Sequence, residues 1–169
     1  MTETASRAPK QVHASCVAVT TDDGLVGVLL RGQSGVGKSD LALRLIDNEG
    51  RGGGALLVAD DRVDLIVRDG EIRAVAPAAL AGLLEVRGLG IMPLAHLADV
   101  AIELVVDLVA EGADIPRLPD VRHTDLLGMS LPWMQLQPFE AAAAAKLRLA
   151  VRALPWNDMQ TLPPNESQP

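Results

Sequence analysis

Eight consecutive residues, Gly32-Gln33-Ser34-Gly35-Val36-Gly37-Lys38-Ser39, have the types and spacing that grip phosphate, fitting G-x-x-x-x-G-K-[ST] at every position. The glycines let the backbone turn its N–H groups inward around an anion, and a helix opening at the end of the loop aims its positive end at the same point. There Lys38 reaches the terminal phosphates, and the Ser39 hydroxyl is a ligand for Mg²⁺. The chain has three lysines, Lys10, Lys38 and Lys146, and one of them falls where phosphate chemistry needs it. That sets aside a plain glycine turn with an incidental lysine. The octet implies binding of a nucleoside triphosphate and leaves the use made of it undecided, because switches, motors, transporters and kinases share such loops.

Asp60 and Asp61 come directly after the apolar run 56–59, some 22 residues beyond Lys38. A carboxylate at a strand end is the usual second anchor of Mg²⁺ in such proteins, directly or through water, and one aspartate suffices. The surplus one, Asp61, is either a proton acceptor for an incoming hydroxyl or a solvated turn residue before Arg62; the residues alone leave both open. His13 lies among apolar neighbours, where a histidine is more often structural than catalytic. Glu85-Val86-Arg87-Gly88-Leu89-Gly90-Ile91 joins a carboxylate, a guanidinium and two glycines. Such a segment either brings a charged pair to a metal–phosphate site or makes a surface ion pair beside a loop.

These groups need elements to hold them. Residues 12–19 and 25–30 are apolar stretches around Thr21-Asp22-Asp23-Gly24, which predicts a hairpin whose second strand runs into the octet. Leu41, Leu45 and Ile46 recur at helical spacing, so a helix succeeds the loop directly. A buried strand is predicted at 56–59, a second hairpin at 63–67 and 71–75, a short helix over 77–84 with Pro77 near its start, and strands at 100–109 and 130–136. Pro138 opens a helix over 139–154 with Lys146, Arg148 and Arg152 toward its end, where cations suit the dipole. Residues 111–129 read as loop, and 1–10 and 155–169 as flexible ends. The fold class is α/β.

A chain of 169 residues is about one domain, and 49% hydrophobic with 22% charged residues describes a packed core, excluding wholesale disorder. Aromatics are only 2%, and the net charge of −7 repels a phosphate backbone, so nucleic acid is not an expected partner. A single cysteine, Cys16, precludes an internal disulfide and suits a reducing compartment. With no apolar run long enough for a membrane span and no secretory core at the start, the expected location is cytoplasmic.

His13 in VHASCVAV, then GQSGVGKS, LVADDRV (57–63) and LEVRGLGIM (84–92), in that order and spacing, resemble the catalytic core of HPr kinase/phosphorylase over about residues 12–107. LEVRGLGI is the most specific part and the phosphate loop the least. The resemblance implies a P-loop kinase fold similar to phosphoenolpyruvate carboxykinase, with mixed sheets, spanning residues 11–154. It implies ATP and Mg²⁺ as cofactors, and phosphorylation of a serine of HPr, a phosphocarrier of the phosphotransferase system, or of a nitrogen-branch relative, with a reverse reaction using inorganic phosphate. Carried over by motif, Lys38 with the backbone of Gly35 and Gly37 holds phosphates, and Ser39 binds Mg²⁺. Asp61 is the base toward the serine, Asp60 its metal-side neighbour, His13 a modulator of that base, and Glu85 and Arg87 complete the metal and transition-state environment. Full-length members carry a further N-terminal domain and assemble into homo-oligomers; this chain reads as a short form lacking that domain. Beyond Asp107 the likeness fades: a basic, glycine-containing stretch of the family is replaced by Gln135-Leu136-Gln137-Pro138-Phe139-Glu140 and an alanine run. Two rival readings are a P-loop kinase of a small metabolite and a nucleotide-responsive module that binds a signalling partner without catalysis.

Overall fold

The runs 14–19, 28–30, 57–59 and 104–106 are almost wholly apolar, and the computed structural model, described over residues 8–48 and 53–154, buries both faces of each. Strand β1 (Lys10–Thr21) pairs antiparallel with β2 (Gly24–Arg31) and with β3 (Ala55–Ala59) along its second half, while its first four residues pair with β4 (Arg62–Arg68). From β4 the ladder runs through β5 (Glu71–Val75) to the start of β8 (Asp99–Leu108). The rest of β8 lies parallel to β2 and to β10 (Met129–Leu136), whose antiparallel partner is β9 (Arg122–Leu126). Two long strands, β1 and β8, thus pass from an antiparallel layer into a mixed one.

Period-two alternation divides their side chains between two cores. Val17, Val19, Val28, Leu30, Leu104 and Val106 pack with Leu41 and Leu45 of α1 (Lys38–Ile46) and Leu147 and Val151 of α2 (Ala143–Arg152). Cys16, Ala18, Leu29 and Val105 turn the other way, onto Val63, Leu65 and Ile72. Burial of Leu41 and Leu45, both fully inaccessible, stabilises the placement of α1 by about 2 kcal/mol each. From α2, buried Arg148 donates to the Leu45 carbonyl at 2.5 Å, satisfying an otherwise open acceptor at the C-terminal end of α1. The helix carrying Lys38 and Ser39 is therefore held along its apolar face and at its C-terminal end.

Four expectations are corrected. Residues 77–84 form only a 3₁₀ turn, Ala78–Leu80, because Gly82 takes φ 72° against His96, and the chain then enters β6 (Leu83–Val86), which pairs with β7 (Gly90–Pro93). The predicted loop 111–129 contains β9, joined to β10 through Leu127 and Gly128, both at positive φ. The last helix begins at Ala143, since residues 138–142 are taken up by turns closed by Glu140 N–H to the Gln137 carbonyl and Ala143 N–H to the Glu140 carbonyl. Lys10, assigned to the flexible start, already pairs with Leu65. Residues 1–7 and the end 155–169 lie outside the described residues. Among those described, no helix is long and apolar enough to cross a membrane.

Candidate active site

The octet of residues 32–39 leaves β2 at Arg31 and enters α1 at Lys38. Gly35 and Gly37 have φ of 80° and 113°, values that a side chain resists, and Gly37 occupies the N-cap. Lys38 is only 6% exposed, and its ammonium donates to the carbonyls of Gly32 at 2.8 Å and Gln33 at 2.9 Å and to Nε2 of His13 at 3.2 Å. All three of its hydrogens are thereby used. Burial pulls the Lys38 ammonium below the usual lysine range, opposed by the negative charges of Asp60 and then Asp61.

Asp60, immediately after β3, is 5% exposed and accepts from Ser39 Oγ at 2.9 and 3.0 Å through its two oxygens, and from Ser15 Oγ at 2.6 Å. The backbone N–H of Glu85 approaches the same carboxylate at 3.4 Å. Ser39 and Asp60 thus present hard oxygen donors within one hydrogen bond of each other, a donor set that suits Mg²⁺. Among the described residues no three His, Cys, Asp or Glu side chains converge as a self-contained metal site.

Asp61 points elsewhere. Its φ is 63°, and a hydrogen bond of 2.7 Å from Arg62 N–H to the Asp60 carbonyl spans it, making a tight three-residue turn. A non-glycine residue held in this region stores strain of about 1–3 kcal/mol. The consequence is that Asp60 and Asp61, adjacent in sequence, differ in setting: the first is buried, and the carboxylate of the second is 60% exposed. His13, opposite Arg62 in the β1–β4 ladder, has Nδ1 3.0 Å from the Asp61 carbonyl oxygen and 3.3 Å from its carboxylate. A carbonyl only accepts, so Nδ1 carries the proton and Nε2 offers its lone pair to Lys38. One imidazole joins the lysine of the loop to the exposed aspartate.

The segment Glu85–Ile91 folds as the β6–β7 hairpin, anchored by fully buried Leu84, with Glu85 on the opposite face. Glu85 and Arg87 line one cleft of about 300 Å³ with His13, Ser34, Gly35, Gly37, Lys38, Ser39, Asp60 and Asp61. Gln33 contributes its carbonyl to Lys38, and the Val36 side chain packs inward against Gly32 and the core. Sequence reasoning missed Ser15, which reads as one small residue in an apolar strand, and Phe139, which lines the same cleft. A larger cavity, of about 480 Å³, lies between the 113–122 segment, β10 and α2 and includes none of the predicted site residues.

Known proteins share this arrangement's sequence pattern and fold. The model of the HPr Serine kinase C-terminal domain matches residues 5–147. The chain belongs to this family. Among its relatives, the HPr kinase/phosphorylase of Cupriavidus necator is 37% identical over 147 residues, covering 81% of this chain and 43% of that protein. That of Bordetella pertussis is 38% identical over 149 residues, covering 81% and 46%. The chain spans less than half the length of these curated relatives. A solved structure described as the Hpr(Ser) kinase/phosphatase from Coxiella burnetii superimposes with a TM-score of 0.70 at 26% identity, covering 85% of this HPr kinase C-terminal domain chain and 94% of that one.

Proposed function

We propose that this chain is an ATP- and Mg²⁺-dependent protein-serine kinase acting on HPr or a nitrogen-branch HPr-like phosphocarrier, built on a P-loop fold of the phosphoenolpyruvate-carboxykinase type. The observation that carries the reading is the His13 bridge, which ties the phosphate-loop lysine to the backbone carbonyl and the exposed carboxylate of Asp61, beside a part-buried Ser39–Asp60 pair. In this reading the loop N–H groups and Lys38 take the triphosphate, Lys38 exchanging its loop carbonyls for phosphate oxygens. Ser39 and Asp60, with Glu85 alongside, would hold Mg²⁺, which supplies charge neutralisation when bound and otherwise relies on phosphate and water for its coordination.

Asp61 accepts the serine proton as the serine oxygen bonds to the γ-phosphorus and the bond from that phosphorus to the β–γ bridging oxygen breaks, leaving ADP. His13 keeps Asp61 in place, and Arg87 offsets charge on the transferring group. General-base assistance of this kind is worth ~10²–10⁴ in rate. With inorganic phosphate, the reverse reaction starts from a protonated Asp61. Homo-oligomerisation and a cytoplasmic setting belong to the same proposal.

The test is incubation of the purified chain with γ-labelled ATP, Mg²⁺ and purified phosphocarrier. Label on a carrier serine is the expected result. Tight ATP binding with no transfer to any phosphocarrier overturns it in favour of a nucleotide-responsive binding module.

A further inference from the structure

Phe139 is one of very few aromatic residues in the chain, and it stands 68% exposed at the phosphate-loop cleft. The backbone that carries it is fixed. Pro138 beside it is buried, and the Pro138 carbonyl accepts from the guanidinium of Arg44 on α1. The turn bonds at Gln137–Glu140 and Glu140–Ala143 hold the segment from the other side. A β-carbon at Gly37 would lie 2.9 Å from Phe139 Cζ and 3.0 Å from Pro138 Cγ, so the ring and its neighbour press on the loop where only glycine leaves room.

The cleft is chemically two-ended. Lys38, Asp60, Asp61, Glu85 and Arg87 supply charge, whereas Phe139, with Leu43 one turn along α1 from Ser39, supplies apolar surface. A triphosphate gripped by the loop leaves its nucleoside to extend past the loop, and a flat heteroaromatic ring is the part of such a ligand that an exposed phenyl face recognises. We propose that Phe139 is the stacking platform for the purine base of the nucleotide, which makes it a binding and specificity residue inside the stretch that the family model matches. The assignment rests on the nucleotide reading of this site.

Calorimetric titration of the purified chain with MgATP and, separately, with magnesium tripolyphosphate, which has the phosphates and no base, separates base recognition from phosphate grip. Wild type is expected to bind MgATP about tenfold or more tightly than tripolyphosphate. Phe139→Ala removes that margin and leaves tripolyphosphate affinity unchanged, whereas Phe139→Trp keeps the margin. The proposal is overturned if Phe139→Ala retains the wild-type margin. It is equally overturned if that variant weakens both ligands alike, which would make the ring mere packing for Gly37. If wild type binds neither ligand, the nucleotide reading itself fails, an outcome read from the unmutated protein alone.

Discussion

Nζ of Lys38 lies 3.2 Å from Nε2 of His13, and the opposite nitrogen of the same ring is 3.0 Å from the Asp61 carbonyl. The imidazole therefore sets the distance between the lysine of the loop and the aspartate proposed as base, two groups 23 residues apart in sequence that share no element. His13→Ala leaves the Asp61 carbonyl with only the longer bond from Ala14 N–H, 3.3 Å, and leaves Lys38 with its two loop carbonyls. Misplacement on the ångström scale costs about a hundredfold in rate. Steady-state phosphorylation of the carrier by His13→Ala is expected to fall by about that factor, and activity within twofold of wild type would remove His13 from the mechanism.

Asp61→Asn separates binding from transfer. Asparagine tolerates the positive φ that the turn imposes, so the backbone at position 61 is kept while the proton acceptor is lost. Carrier phosphorylation is expected to drop ~10²–10⁴-fold with MgATP affinity nearly unchanged. A loss of nucleotide affinity matching the loss of turnover would make Asp61 part of the binding site instead.

Ser15 bears on the metal side. Its hydroxyl is fully buried and donates to Asp60 at 2.6 Å, a charge-assisted bond worth about 1.5–3 kcal/mol. Ser15→Ala removes one of the two hydroxyls that donate to a carboxylate only 5% exposed. Lower thermal stability is expected together with a changed Mg²⁺ concentration dependence of the kinase reaction. A pure stability loss with an unaltered Mg²⁺ titration would confine Ser15 to structure.

What is legible in the sequence is local. The octet, the helix after it and Asp60 at a strand end are contiguous patterns, and each is found where the pattern puts it. Register decides the rest. His13 meets Asp61 because β1 and β4 pair with His13 opposite Arg62, and Ser15 reaches Asp60 because its neighbour Cys16 pairs with Ala59 across β1 and β3. No spacing within a single strand announces either pairing. The β9–β10 hairpin is hidden for another reason: its turn uses Leu127-Gly128 rather than Asn-Gly, so the strongest short-range cue is absent.

The ladder that sets the β1–β4 register is tied to the mixed layer by Asp99 at the start of β8, which accepts from Arg73 at 2.7 Å and Arg68 at 2.6 Å. The hydrogen bond from Arg73 dominates, with Arg68 adding to it against the cost of burial, and together they hold the Asp99 carboxyl below the ordinary carboxylate range. A depressed native value means that the unfolded chain takes up the proton first as pH falls. The stabilisation is therefore complete above the ordinary carboxylate range and is lost as pH drops through the lowered native value. Because the group is partly exposed and screened, about 1 kcal/mol is at stake, or ~2–4 °C in Tm for a chain of this size. Asp99→Asn is expected to lower Tm by that amount at neutral pH, with the gap to wild type closing in acid. Thermal scans across pH check it, and a gap that persists undiminished at low pH would assign the loss to packing rather than to the ionised carboxylate.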